Sequence, residues 1–462
     1  MFRLRYYQND ARDGIRAAFD RCRSTACVMP TATGKCLAKG TPVLMWDGTV
    51  KPVEDVAVGD LLVGPDSAPR RVLSLARGRE EMYRVTPRKG DPYTVNASHI
   101  LSLKLTPDGR WGGEHQVINI PVREYIKKSN WFKHRAKGWR AAVDWPAADV
   151  PLDPYFFGLW LGDGHHKRPQ ITSADPEIVA YLADFSASVG LRLHCEDYAG
   201  RCNGYAVSGV KQRWKANPVT AALRSLGVFG NKHIPLCYLR NSREVRLQLL
   251  AGLIDSDGHL NHVGGYEFTS KSYTLASQVA YLARSLGFAA YIRAKEAGCQ
   301  TGAVGTYYRL HISGRLSEVP VKLGRKRHPV LPHAKDVTVH GINIEPVGEG
   351  DYYGFTLDGD GLFLLGDFTV THNTELYLSV AVEERGRVLV LVHRDYLITS
   401  PVQRLARAGF TDVAVEKADQ RAERGGRRAQ IVFASVQSVG PERQAHRLRE
   451  FDPREFSLLI ID

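Results

Sequence analysis

The feature that most constrains this chain is a phosphate-binding loop cut in two. Pro30-Thr31-Ala32-Thr33-Gly34-Lys35 opens a loop of the Gly-Lys-[Ser/Thr] type, but Cys36 follows where Ser or Thr is required. The required residue appears at Thr374, directly after Thr371-His372-Asn373. Removing residues 36–373 restores a continuous loop that runs into Glu375 and Leu376 and a helix-like stretch.

The length of 462 residues suggests about three domains, at roughly 150 residues each. A hydrophobic fraction of 44% with 24% charged residues is ordinary for a globular protein. No apolar stretch is long enough to span a bilayer, and Met1 to Arg5 lack the apolar core of a secretory signal, so the expected address is cytoplasmic, with no membrane partner. The formal charge of +13 allows a polyanionic partner without requiring one. Seven cysteines, an odd number with no Cys-x-x-Cys, argue against a disulfide framework or a zinc site.

The texture changes along the chain. From Cys36 to about Val143, and again from Tyr352 to Asn373, short apolar runs alternate with turns such as Asp47-Gly48, as in one all-β domain split by its middle. The middle, about Leu152 to His333, contains a duplication. Phe156 to Gly164 resembles Leu250 to Gly258, and Val-Ala-Tyr-Leu-Ala occurs at 179–183 and at 279–283. A Lys-x-x-Pro begins at Lys232 and again at Lys326, in the same register from Asp163 and Asp257 respectively. The two flanks, once joined, read as α/β. Arg387-Val388-Leu389-Val390-Leu391-Val392, Ile431-Val432-Phe433-Ala434 and Leu458-Leu459-Ile460-Ile461-Asp462 have the continuous apolar character of buried parallel strands.

The junctions hold the groups that self-excision needs. A thiol on Cys36 can attack the carbonyl before it and move the acyl group from nitrogen to sulfur. Donors to the carbonyl oxygen and an acid for the leaving nitrogen must assist, because the shift is uphill in a relaxed peptide. Thr374 supplies a hydroxyl to accept the acyl group, Asn373 can cyclise on its own carbonyl, and His372 can polarise that carbonyl. On Cys36 to Val43, Val95-Asn96-Ala97-Ser98-His99, Tyr352 to Leu357 and Phe368 to Asn373, the segment Cys36–Asn373 resembles an intein with a hedgehog/intein fold. The resemblance makes His99 the helper of the first acyl shift. Asn96 stands where the family usually has Thr, and its amide is expected to donate a hydrogen bond. Many inteins carry an Asp at the place of Gly354 and a His near Leu362, which leaves Asp367 or water to activate the later steps. No cofactor is implied for splicing.

The two nine-residue motifs resemble those of LAGLIDADG homing endonucleases. The resemblance implies an α+β, pseudo-symmetric nuclease in which Asp163 and Asp257 hold divalent metal, most plausibly Mg²⁺, for hydrolysis of double-stranded DNA at the intein-less host site. Lys232, and by the repeat Lys326, would stabilise charge near the scissile phosphate. Asp255 is expected to pack or cap. The stretch Lys127 to Arg135 offers phosphate contacts with aromatic stacking. The adjacent His165 and His166 should point apart, which argues against a metal site there.

The flanks resemble the first motor domain, RecA-like in fold, of superfamily 2 DNA helicases of the restriction-enzyme type. On that resemblance Gln8 reads adenine, Thr33, Gly34 and Lys35 hold ATP phosphates, Thr374 binds both nucleotide and Mg²⁺, and Asp462 opens the metal-binding acidic box. The chain is then expected to divide into 1–35 and 374–462 as motor pieces, 36–150 and 336–373 as the split splicing domain, and 151–335 as the nuclease, with a candidate DNA-contacting insertion at about 104–150. ATP binding would follow excision, and the motor reads as a truncated fragment of a longer gene. Two other readings stay open: a helicase-like ATPase or DNA-binding protein with a structural insertion that never leaves, and autoproteolysis without ligation.

Overall fold

The computed structural model describes residues 36–106, 116–198, 202–209, 217–298, 304–330 and 336–372, and beyond these 386–392, 409–417, 420–422, 428–435 and 451–461 with a few isolated positions between. Gln8, Thr33, Gly34, Lys35, Asn373, Thr374 and Asp462 lie outside the described residues.

Two long antiparallel strands, Pro69–Pro87 and Ile342–Leu357, form the spine of the first unit. Their alternation of apolar and polar side chains puts Val72, Ala76, Phe355 and Leu357 inside and most charged residues out, with Arg70 buried against Asp66 and Asp360. Each pairs again at its other edge. Ile342–Leu357 takes Leu37–Ala38, Leu37–Ala38 takes Tyr93–Asn96, and Tyr93–Asn96 returns to Pro69–Pro87, so the strands close into a ring. A second sheet runs in the order Val339–His340, Ala136–Trp139, Ile100–Leu105, Val370–His372, Leu362–Leu364. The hairpin between Pro42–Leu44 and Val50–Pro52 turns on Asp47 and Gly48 as its Asp-Gly signal implies, with Gly48 at φ +85°. Both chain pieces on either side of the central segment contribute to each sheet.

The expectation of pure β structure from 36 to about 143 needs one correction. Val122–Ile126 and Asn130–Arg135 are short helices. Ser129 caps the second by accepting from Phe132 N, a local bond that competes with strand formation in the basic stretch.

The central segment is duplicated in space as in sequence. Helices Pro154–Asp163 and Arg243–Asp257 pack side by side. Each is followed by an antiparallel sheet, ordered Gln170–Thr172, Gly204–Ser208, Arg192–Glu196 in the first half and Gly258–Leu260, Tyr266–Ser270, Val304–Ser313, Ala289–Gly298 in the second. The bridge between Gly164 and Ile171 is the first half's remnant of the strand pair that Gly258 and Phe268 begin in the second. The two Val-Ala-Tyr-Leu-Ala copies lie on matching helices, Pro176–Ser188 and Tyr273–Ser285. One apolar core runs through both halves.

This segment also grips the β unit. Tyr281 stacks on Trp145 and donates to Gly48 O (2.9 Å), and Arg240 donates to Trp46 O (2.9 Å). Arg246, fully buried, spends its guanidinium on the carbonyls of Asn241, Ser285 and Val143.

In the last part, Val413–Glu416, Ile431–Ser435, Arg387–Val392 and Phe456–Ile461 form one parallel sheet in that order. Three of these strands are those read from continuous apolar runs. The fourth, Val413–Glu416, is too short and too polar at its end to give that signal.

Candidate active sites

Cys36 is buried at the start of Leu37–Ala38. Its N–H donates to Asn96 Oδ1 (3.1 Å), and its carbonyl accepts from Asn96 N (3.2 Å). The Asn96 side-chain nitrogen donates to Glu80 Oε2 (2.7 Å). The Asn96 side chain therefore meets the junction as an acceptor, not as the amide donor expected, while its backbone N–H is the donor. The reason is Glu80: a carboxylate only accepts, so it captures the NH₂ group and turns the amide oxygen toward Cys36. Nothing in Arg79-Glu80-Glu81 separates Glu80 from ordinary surface charges, and only strand register could have placed it beside Asn96.

His99 is buried in the turn that follows, with its N–H on Asn96 O (3.0 Å). Its Nε2 lies 2.6 Å from Thr371 Oγ1, 272 positions further on. The next residue, His372, is half-buried and pairs with Ile100 on one side and Leu362 on the other. The segment 96–100 thus touches both ends of the insert. Asp367 is committed elsewhere. Its carboxylate meets Arg140 (3.1 Å) and accepts from Thr369 N (3.0 Å). Burial works to raise the Asp367 carboxyl, but Arg140 and Arg284 outweigh it and hold it below its usual range.

The two motif helices form the second site. Asp163 and Asp257 are the last residues of their helices, each followed by a Gly. The helices touch backbone to backbone. A methyl on Gly158 would come within 2.9 Å of Leu253 N and 3.0 Å of Gly252 Cα, and one on Gly162 within 2.5 Å of Ser256 Cβ and 3.3 Å of Asp257 N. Close packing of glycines therefore brings the two helix ends, and both carboxylates, together. Burial and then the charge of Asp257 raise the Asp163 carboxyl to about 6, against the pull of Lys326 and Lys232. Burial also raises Asp257.

Each lysine caps the helix end of its own half. Lys232 Nζ donates to Gly162 O (2.8 Å). Lys326 Nζ donates to Ile254 O (2.9 Å), Asp255 O (2.8 Å) and Ser256 O (3.2 Å). Cations at helix C-termini offset the negative end of the helix dipole, where two carboxylates would otherwise add to it. Burial lowers Lys232 to about 8 and also lowers Lys326. Asp255 packs inward, accepting from Tyr155 OH and Lys322 N, both at 2.6 Å.

The histidine reading is corrected. His165 and His166 lie beyond the helix end and stack, with ring centroids 4.6 Å apart, because a turn does not impose the divergence of a helix or strand. Among the described residues no three His, Cys, Asp or Glu side chains gather as a metal cluster. Trp131 is exposed beside Arg135 (4.6 Å), on the helix of the basic stretch.

Comparison with known families agrees with this geometry. Residues 36–119 match the Hom_end-associated Hint family, and residues 244–318 match the LAGLIDADG-like domain. The inserted segment matches both a Hint family and a LAGLIDADG-like family. The chain is similar to the replicative DNA helicase DnaB of Mycobacterium intracellulare, 32% identical over 277 residues, 55% of this chain and 43% of that protein. It is also similar to the homothallic switching endonuclease of Saccharomyces cerevisiae, 29% identical over 251 residues, 46% of this chain and 42% of that one. The chain spans under half the length of these two relatives. Among solved structures, I-DmoI in complex with DNA and Ca is similar at 16% identity, covering 35% of this chain and 83% of that one, with a TM-score of 0.24. No helix among the described residues is long and apolar enough to cross a membrane.

Proposed function

We propose that the chain is a self-splicing precursor that excises residues 36–373 and joins Lys35 to Thr374, and that its intein also cuts double-stranded DNA. The observation that carries splicing is the convergence on 96–100: Asn96 holds the Cys36 nitrogen, His99 holds Thr371, and Ile100 pairs with His372. Two cleavage points far apart in sequence can exchange an acyl group only if one site holds both. Cys36 is the first nucleophile, His99 assists the first shift, Thr374 accepts the acyl group, Asn373 cyclises and His372 supports that cyclisation.

For the nuclease, Asp163 and Asp257 would hold a divalent ion, Mg²⁺ by preference for hard oxygen donors. The fit lies in the donor set: two buried carboxylates at adjoining helix C-termini offer hard oxygen ligands side by side, and a cation between them would offset the burial that raises both. The ion would supply charge neutralisation at the phosphodiester. Lys232 and Lys326 hold the helix ends and add positive potential toward the DNA. The splicing unit would comprise 36–150 and 336–373, and the nuclease 151–335.

The flanking parallel sheet supports a RecA-like motor host that binds ATP and Mg²⁺ once Lys35 and Thr374 are joined. Gln8, Thr33, Gly34 and Asp462 complete the nucleotide site on this reading. The names of other similar proteins, a V-type proton ATPase subunit from Candida tropicalis and Hel308 from Thermococcus kodakarensis among them, are too varied to share one host, which fits similarity through a shared insert.

Expression followed by mass measurement tests splicing. Wild type should yield the 36–373 segment and a joined 1–35/374–462 product, and Cys36→Ala should yield neither. A single full-length species from wild type refutes it. Cleavage of DNA carrying the uninterrupted loop sequence should stop with EDTA and in Asp163→Asn/Asp257→Asn, while splicing continues.

A further inference from the structure

We propose that Glu80 is a positioning residue for the first step of excision, setting a negative charge behind the Cys36 nitrogen by way of Asn96. The inference rests on the splicing reading. The chain of contacts is continuous: Cys36 N–H to Asn96 Oδ1 (3.1 Å), then Asn96 Nδ2–H to Glu80 Oε2 (2.7 Å). Ser98 Oγ donates to the other carboxylate oxygen (3.3 Å), and Arg123 donates to Ser98 (3.2 Å). Strand register fixes the geometry. Asn96 pairs with Met82, so Glu80 lies one alternation further along the same strand face.

The first step is an isomerisation. The Cys36 thiol gives up its proton and its sulfur bonds the Lys35 carbonyl carbon. The carbon–nitrogen bond then breaks and leaves its electron pair on the Cys36 nitrogen. That nitrogen takes the thiol proton to become an amine, and a second proton from solvent to become an ammonium. Before the step it is an uncharged amide donor, and afterwards it is a cation. A hydrogen bond from a cation is roughly twice as strong as one between neutral groups. The Asn96 oxygen therefore binds the product more tightly than the reactant, and the Glu80 charge, relayed through a buried amide, increases the difference. A glutamine at position 80 keeps one acceptor for the Asn96 NH₂ group but gives up the second oxygen, which Ser98 uses, and the charge. Only a charge favours the ammonium. Charged or titratable groups near Glu80 include Arg79, Glu81 and Tyr83 on its own strand, Glu349, Asp351 and Tyr352 on the strand paired with it, and Arg123 behind Ser98, with His99 on the turn beyond Asn96.

The test uses the full chain carrying Asn373→Ala and Thr374→Ala, so that only the first step remains. Dithiothreitol then cleaves the thioester between Lys35 and Cys36, and the rate is followed by mass from pH 6 to 9. Glu80→Gln should slow cleavage about tenfold at pH 6 to 7, the effect of losing one charge-assisted interaction. The deficit should shrink above about pH 8, where an α-amine no longer holds its second proton. Glu80→Asp should recover most of the rate, and thermal unfolding should show all variants folded. Cleavage of Glu80→Gln at the parental rate, or a deficit that is the same at every pH and is not rescued by Asp, overturns the proposal. A parent chain that dithiothreitol does not cleave overturns the splicing reading, and this inference with it.

Discussion

Gly158→Ala is the sharpest probe of the helix crossing that creates the second site. The added methyl would meet Leu249 O, Leu253 N at 2.9 Å and Gly252 Cα at 3.0 Å, all backbone atoms that cannot rotate away. Carbon atoms pack at about 3.5–4.0 Å, so the helices must part by roughly 0.5–1 Å. Overpacking of this kind costs about 1–3 kcal/mol. Alanine returns up to about 1 kcal/mol in helix propensity. With several fixed contacts at once the upper end applies, and the net loss is about 2 kcal/mol. For a domain of about 150–250 residues, that lowers the midpoint of its thermal transition by about 4–8 °C. The assay is calorimetry on the Cys36→Ala/Asn373→Ala precursor, so that neither junction is cut. Gly324→Ala is the control, because nothing lies within 4 Å of its added methyl. Gly158→Ala and Gly324→Ala giving the same midpoint would refute the argument that backbone contact holds the two carboxylates together.

Lys326→Met should destabilise the second half by about 2–3 kcal/mol, because an ammonium bonding three carbonyls at a helix end is removed. Lys232→Met removes one such bond and should cost less in the same urea titration. His340 gives a pH signature. Burial and then the charge of Arg140 push its imidazole down to about 4, so the unfolded chain binds a proton first. Its contribution to stability is present above about pH 6.5 and lost as pH falls toward 4, at up to about 1.4 kcal/mol per unit. His340→Leu should flatten that slope in denaturation measured from pH 7 to 4.

The split loop, the junction residues and the duplicated motif were legible because each is a local pattern with a fixed spacing. The matching of Lys232 with Lys326 was legible only through register, yet the two ended as helix caps in equivalent places. What stayed hidden depends on partners far along the chain. The orientation of the Asn96 amide is decided by Glu80, and the engagement of Asp367 by Arg140, neither of which any local pattern announces. The stacking of His165 on His166 was misread for a simpler reason: the rule about diverging neighbours assumes a helix or strand, and these two lie in a turn.

The two levels of insertion obey one geometric condition. An insert disturbs its host least when its own ends already lie side by side, because no long loop must then be closed. The central segment leaves the β unit after Ala136–Trp139 and returns at Val339–His340, and these strands pair with each other. The β unit in turn brings Cys36 and His372 to one short segment. Yet the central segment is more than a guest. Arg246 is bonded to Val143 and stands over Trp145, and Tyr281 packs on both Trp145 and Phe368, the residue at φ +70° just before the last strand. The turn that sets His372 in place is therefore buttressed from the nuclease side. Nested insertion supplies the freedom to acquire the second domain, and this buried contact explains why the first domain would come to depend on it.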